Sequence, residues 1–356
     1  MFDFPGGFQQ AKLALETAAG LTDDEVTAEV ELALSIQYLA ALDLDQAEQH
    51  LTNCRQSAAR LSDTWGKAWA ASRLPLLRWC RGDLAGADQE ATRAVAVASE
   101  FFDWAEISLA TACRVTVAVA QGRIPQAERL GIMAHQQYLR SDYAWTLLVL
   151  APALMTGRAF RGDAPKVQES VTMLAQAGID SRWPGLAARA ILGDQEELQA
   201  GLAGQRVEPK PRSSYSLFDL AFAAMQVEVC DVTGDADLAR AALGPLEAAQ
   251  AAGFAEVLGW VASVPRLLGV VCRCLGRHEE AEMWLRNAMA QAEKAPAPAE
   301  QARAQLNLAE VLVALGDEHA AAGAIDQAAA AFRHLGLTAL LDRSDRLRLA
   351  VPRARS

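Results

Sequence analysis

Apolar and small residues follow a helical spacing along this chain, and the helical stretches are interrupted at a regular interval. Leu42, Gly82, Gly122, Gly162, Gly193, Gly234, Gly276 and Gly316 mark the interruptions, at steps of 40, 40, 40, 31, 41, 42 and 40 residues. Five residues after each stands a small or apolar side chain: Ala47, Ala87, Ala127, Val167, Leu198, Ala239, Ala281 and Ala321. Similar residues recur nine and twelve after it, among them Leu51 and Cys54, Leu285 and Ala288, and Ile325 and Ala328. Gaps of four and three residues place these positions on one face of a helix that starts just past the break. The glycine suits the left-handed conformation in which a preceding helix stops. Gly82-Asp83, Gly162-Asp163, Gly193-Asp194, Gly234-Asp235 and Gly316-Asp317 then set a carboxylate at the positive end of the next helix. A period of about 40 residues with helix-forming sequence on both sides predicts stacked helical hairpins.

The Gly276 unit, Gly276-Arg277-His278-Glu279-Glu280-Ala281 followed by Leu285 and Ala288, resembles the middle of a tetratricopeptide repeat. The Gly316 unit repeats the pattern with Ala321, Ile325 and Ala328, and Gly269 and Ala309 stand at the small-residue site of the first helix. The likeness runs through nearly the whole chain, with a period longer than the standard unit of about 34 residues. Most units lack the closing proline, and the Gly193 unit is short. Longer units of this kind are similar to those in the C-terminal sensor arms of bacterial signal-transduction ATPases and large LuxR-like activators. HEAT-type repeats also fit the period and rank second, because the glycine-to-alanine spacing matches the tetratricopeptide pattern better. The resemblance implies an all-α, right-handed α-solenoid of about eight hairpins, a tetratricopeptide-like superhelix.

Composition supports an all-helical chain: 52% of the 356 residues are hydrophobic and only 13 are proline. The sequence has no long uncharged apolar run, and its start, Met1-Phe2-Asp3-Phe4-Pro5-Gly6-Gly7, lacks a basic leader. We therefore expect no membrane association and a cytoplasmic location. The net charge of −11 argues against direct nucleic-acid binding, which depends on neutralising phosphates. Arg343, Arg346, Arg348, Arg353 and Arg355 read as the face of a capping helix and a frayed end in preference to a nucleic-acid tail.

No catalytic chemistry is visible. There is no phosphate-binding loop, nucleophile elbow or dinucleotide fingerprint, so we expect no enzyme, no cofactor and no metal. An α/α-toroid hydrolase would also show helical hairpins, but no pair of carboxylates is singled out for it. The six cysteines are dispersed; Cys272 and Cys274 lie two apart on a helix and point to different faces. His278-Glu279-Glu280-Ala281-Glu282 has a glutamate where a zinc-peptidase helix needs its second histidine.

Two features are candidates for recognition. Trp65, Trp104, Trp145, Trp183, Phe218 and Trp260 fall near the starts of successive first helices, either as wedges between hairpins or as a ligand-facing stripe. In a tetratricopeptide register the groove takes first-helix positions at fixed offsets before each break. Trp69, Leu76 and Trp79 then give an apolar N-terminal lining. Arg266, Arg273 and Arg303 give a basic C-terminal one, suited to a carboxylate or phosphate.

Phe8 to Ala19 carries a second-helix stripe with no first helix before it, so the array is expected to begin mid-hairpin, as a piece of a larger polypeptide or as part of a homo-oligomer. Val207 to Ser214, with Pro209 and Pro211, divides it into residues 1–206 and 207–356 within what is expected to be one continuous array, and Ala295-Pro296-Ala297-Pro298 is a lesser break. The expected function is a non-catalytic scaffold binding a protein or peptide, or a small anionic ligand, as the sensor or recognition arm of a bacterial regulator. The alternative is a free-standing adaptor that bridges two proteins.

Overall fold

The computed structural model describes residues 23–61, 65–203 and 215–350, with five isolated positions before residue 18. Among the described residues, seventeen helices form eight hairpins and a closing helix. The first four hairpins pair α1 (Asp24–Ala40) with α2 (Leu44–Arg60), α3 (Trp65–Cys80) with α4 (Leu84–Ser99), α5 (Trp104–Ala120) with α6 (Ile124–Ser141), and α7 (Ala144–Phe160) with α8 (Ala164–Gln176). The next four pair α9 (Arg182–Leu192) with α10 (Gln195–Leu202), α11 (Leu217–Thr233) with α12 (Ala236–Ala251), α13 (Val264–Cys274) with α14 (His278–Lys294), and α15 (Pro298–Ala314) with α16 (Glu318–Leu335). The closing helix is α17 (Thr338–Ala350). The fold is an all-α solenoid.

All eight break positions fall in the turn inside a hairpin, and all eight are left-handed, with φ from 61° at Leu42 to 84° at Gly316. Gly82 shows why glycine is needed there. Its φ is +77°, and an added Cβ would stand 2.9 Å from that of Ala255. Leu42 holds the same conformation with a side chain, a strain of about 1–2 kcal/mol offset by burial of its isobutyl group. The aspartate that follows completes the device. Asp43, Asp83, Asp163, Asp194 and Asp317 each accept the backbone N–H three residues on, a cap worth about 1 kcal/mol.

The stripe behind each turn is the seam of the hairpin. Ala47, Ala87, Ala127, Ala239, Ala281 and Ala321 are all buried. Side chains this small admit close contact: a Cβ on Gly131, at the nine-residue offset, would lie 2.7 Å from a methyl carbon of Leu154. The 31-residue step has a simple cause in the short helices between Gly162 and Gly193, with 13 residues in α8 and 11 in α9.

The array folds back on itself. Residues 252–263 replace the first turns of α13 with a loop held by Val257 N–H to Ala262 O at 3.0 Å and Val264 N–H to Ala255 O at 2.9 Å. This loop crosses to the second hairpin, where Ala255 N–H donates to Cys80 O at 2.7 Å. Further along, Leu335 packs on the Gly122 turn, Thr338 Oγ1 donates to Arg161 O at 2.6 Å, and the Arg346 guanidinium reaches the Gly193 turn. Successive C-terminal elements therefore lie along the turns of hairpins two to five. The Val207–Ser214 break, the Phe8–Ala19 stripe, and Arg353 and Arg355 fall outside the described residues, apart from isolated positions.

Candidate functional site

Of the three arginines expected in a basic groove, Arg266 and Arg303 are buried and Arg273 is partly exposed. Arg266 is fully buried; its Nε donates to Glu300 at 2.9 Å and an Nη donates to Glu228 at 2.6 Å. Arg303 binds the remaining oxygens of Glu228 and Glu300, each at 2.5 Å, and lies over the Phe160 ring at 4.9 Å. Arg273 pairs with Asp231 at 2.5 Å and Glu310 at 3.3 Å, and Arg343 of α17 binds the same two acids. Four guanidiniums thus meet four carboxylates. The expectation placed Arg266, Arg273 and Arg303 toward a groove; Arg266 and Arg303 instead spend their donor forks on buried acids, while Arg273 keeps part of its side chain exposed.

The electrostatics follow from that packing. Burial opposes ionisation of Asp231, but Arg343 and Arg273 outweigh it and hold its carboxyl well below the usual carboxylate range. Burial acts on Glu300 in the same way and is outweighed by Arg266 and Arg303, so its pKa is also lowered. Glu256 has no such partner, and burial together with nearby Glu300 raises its pKa well above the ordinary value. One of its oxygens has no hydrogen-bond partner. At the edge of the cluster, this burial favours its protonated form.

The apolar N-terminal lining is covered as well. Trp79 is buried, and its indole N–H donates to Val257 O of the crossing loop at 2.9 Å. Leu76 is buried beside Arg73, whose guanidinium pairs with Glu106 and donates to Tyr143 OH at 2.9 Å. Trp69 is half-buried against the core. The chain's own contacts thus cover Leu76 and Trp79, while Trp69 keeps part of its ring exposed.

The aromatic series divides. Trp260 is buried with its N–H toward Glu228, and Arg140 sits over Trp104. Trp145, Trp183 and Phe218 converge instead on a cavity of about 280 Å³ between α7, α9 and α11, floored by Val149, Leu174 and Met225 and flanked by Pro152 and Pro184. The rings sit in pairs, Trp145 with Phe218 at 6.0 Å between centroids and Trp183 edge-on to Phe222 at 5.0 Å. Phe222, 37% exposed, and Asp180 mark the side open to solvent. Asp180 is the one charged lining residue. The Arg182 backbone N–H, and then its guanidinium, outweigh burial and lower the Asp180 pKa.

Sequence reasoning missed Phe222, although it lies four residues after Phe218 on one helical face. It also missed Leu258 and Gly259, which the crossing loop brings to the cavity. Cys272 and Cys274 diverge, Cys272 toward Glu280 and Cys274 Sγ to Cys230 O at 3.3 Å. Among the described residues no group of three or more His, Cys, Asp or Glu is placed to hold a metal ion, and no helix is long and apolar enough to cross a membrane.

A family model described as tetratricopeptide repeat matches residues 260–334, which span the seventh hairpin and nearly all of the eighth. No curated protein matches the chain. Repeats of this family generally mediate protein–protein interaction. Turn geometry, buried small-residue stripe and family match agree that the chain is a tetratricopeptide-like helical repeat array.

Proposed function

We propose that this chain is a non-catalytic recognition scaffold, the sensor or partner-recognition arm of a bacterial signalling or transcription regulator, with its receptive site at the middle of the array. The aromatic cavity between α7, α9 and α11 carries the reading. Three successive first helices direct large rings to one concavity, whereas most of the other inner-face positions discussed above are occupied by the chain's own contacts. An occupant there touches three hairpins at once, and so can shift their relative tilt and the way the C-terminal elements dock on the N-terminal turns. The location expected for such an arm is the cytoplasm. A bridging adaptor is favoured by a different observation, the exposed Ile132, Met133 and Leu139 on α6, a second apolar surface outside the cavity.

The test is capture from native lysate with the wild-type chain and Phe222→Asp, read by quantitative mass spectrometry. An ATPase or DNA-binding protein recovered by the wild type and lost from the variant supports the recognition arm. Equal recovery by both removes the cavity as the seat, and simultaneous recovery of two unrelated proteins by both chains favours the adaptor.

A further inference from the structure

We infer that the mid-array cavity binds a free, uncharged aromatic small molecule of two fused rings. The inference rests on the cavity being the receptive site and adds the chemistry of its occupant. Size comes first. A dry apolar cavity of about 150 Å³ takes up benzene, and this one is about 280 Å³, enough for a second ring. It lies at the lower edge of the range of about 300–1,000 Å³ usual for ligand pockets.

The walls set the polarity. Trp145, Trp183, Phe218 and Phe222 offer ring faces and edges, and Pro152 and Pro184 offer apolar C–H surface. Such walls favour offset or edge-on contact with another ring. No cationic side chain lines the space, so an anionic group carried inside would lose its water without gaining a partner. At the mouth, the Asp180 carboxylate accepts the Arg182 N–H at 3.0 Å and pairs with the guanidinium at 3.2 Å. That local pairing offsets the carboxylate's charge and leaves little attraction for a cation, so the discrimination against an anion comes from the uncharged walls. The occupant consistent with volume, lining and charge is a neutral two-ring system.

The experiment is calorimetric titration of the full chain with indole. Saturable one-to-one binding is expected, with a negative heat-capacity change from apolar burial. Indole-3-carboxylate should bind at least tenfold more weakly. Ala221→Phe, which fills the cavity from α11, and Phe222→Ala, which removes its outer wall, should each weaken indole at least tenfold. If Ala221→Phe does not fold, Phe222→Ala decides, because its ring is the most exposed in the lining and its loss spares the core. No saturable binding, equal binding by Phe222→Ala, or equal binding of the carboxylate overturns the inference. Binding of N-acetyl-tryptophanamide as tightly as indole also overturns it, in favour of a tryptophan side chain from a protein partner. A chain that fails these titrations yet loses its captured partner in Phe222→Asp keeps the proposed function and loses only this inference.

Discussion

The same offsets before the hairpin turn build two different interiors in this array. In hairpins four to six the positions thirteen and ten residues before the turn include Val149, Pro152, Trp183 and Ala221, and they wall an apolar cavity. From hairpin six onward, positions thirteen, ten, six and three residues before the turn supply Arg303, Arg266, Glu228 and Glu310, and Asp231 and Arg273, which close on one another as ion pairs. The register is common to both regions, so the difference lies in chemistry and helix length. Opposite charges one repeat apart pull adjacent first helices together and consume their own donors. Apolar positions beside the short α9 have no directional partner, and the shortened hairpin leaves space unfilled. An inner-face offset in such an array identifies an interior position, and its neighbours one repeat away decide whether that position is open.

The widest separation between the two regions should come from Arg266→Ala. It leaves the buried Glu228 and Glu300 to share the single guanidinium of Arg303, and removing one partner of a buried ion-pair network costs about 3–5 kcal/mol. Urea unfolding should show a large drop in midpoint. A drop under about 1 kcal/mol would mean that the cluster is hydrated and that the two interiors are alike.

Next in size is Ala281→Trp, which overpacks the hairpin seam and should cost about 1–3 kcal/mol by the same measurement. The seam is shared by both regions, so this value calibrates how much of the Arg266 effect comes from packing alone. An unchanged melting temperature would show that the turn-plus-five register does not define the seam.

The architecture was legible because turn and seam are local properties. A left-handed glycine, a capping aspartate and small residues at fixed offsets are determined within about fifteen residues, and all eight turns fall where the period puts them. The arginine cluster was half legible. Glu228 and Asp231 stand six and three residues before Gly234, both at groove offsets, and Asp231 shares its offset with Arg273 one repeat later, so reading both signs together would have indicated pairing. Glu300 and Arg343 were hidden because they enter from other offsets and from the closing helix. The covering of Trp79 was not legible at all, since it depends on a loop 178 residues away in sequence. The cavity was visible only as its tryptophans; its volume arises from the shortness of α8 and α9, which a period of 31 signals without saying what space remains.

Buried Glu256 beside the cluster gives a pH handle on that region. Glu256 has a folded pKa raised above its unfolded value of 4.5, so the folded state holds more protons between those two values. Its contribution is complete below pH 4.5 and is lost as pH rises through the folded value. Asp231 and Glu300 act in the opposite direction, since their lowered values give stability above the unfolded pKa that is lost as pH falls. Glu256→Gln should therefore flatten the loss of stability on the high-pH side while leaving the acid side unchanged, as read by urea midpoints across pH. An unaltered high-pH limb would show that Glu256 is solvated.

The smallest effect isolates burial from charge. Arg286 pairs with Glu282 one turn earlier on the exposed face of α14, in the same array and with the same kind of partner as Arg266. Water and salt screen such a pair, and holding both side chains in one geometry opposes it entropically, leaving about 0.3–0.5 kcal/mol. Arg286→Ala should thus shift the urea midpoint by a small amount that disappears in high salt, whereas the Arg266→Ala loss should persist there because screening ions do not enter the cluster. Equal losses for the two variants, or equal salt sensitivity, would mean that desolvation does not set the energy of the C-terminal interior, and the contrast with the apolar cavity would then rest on shape alone.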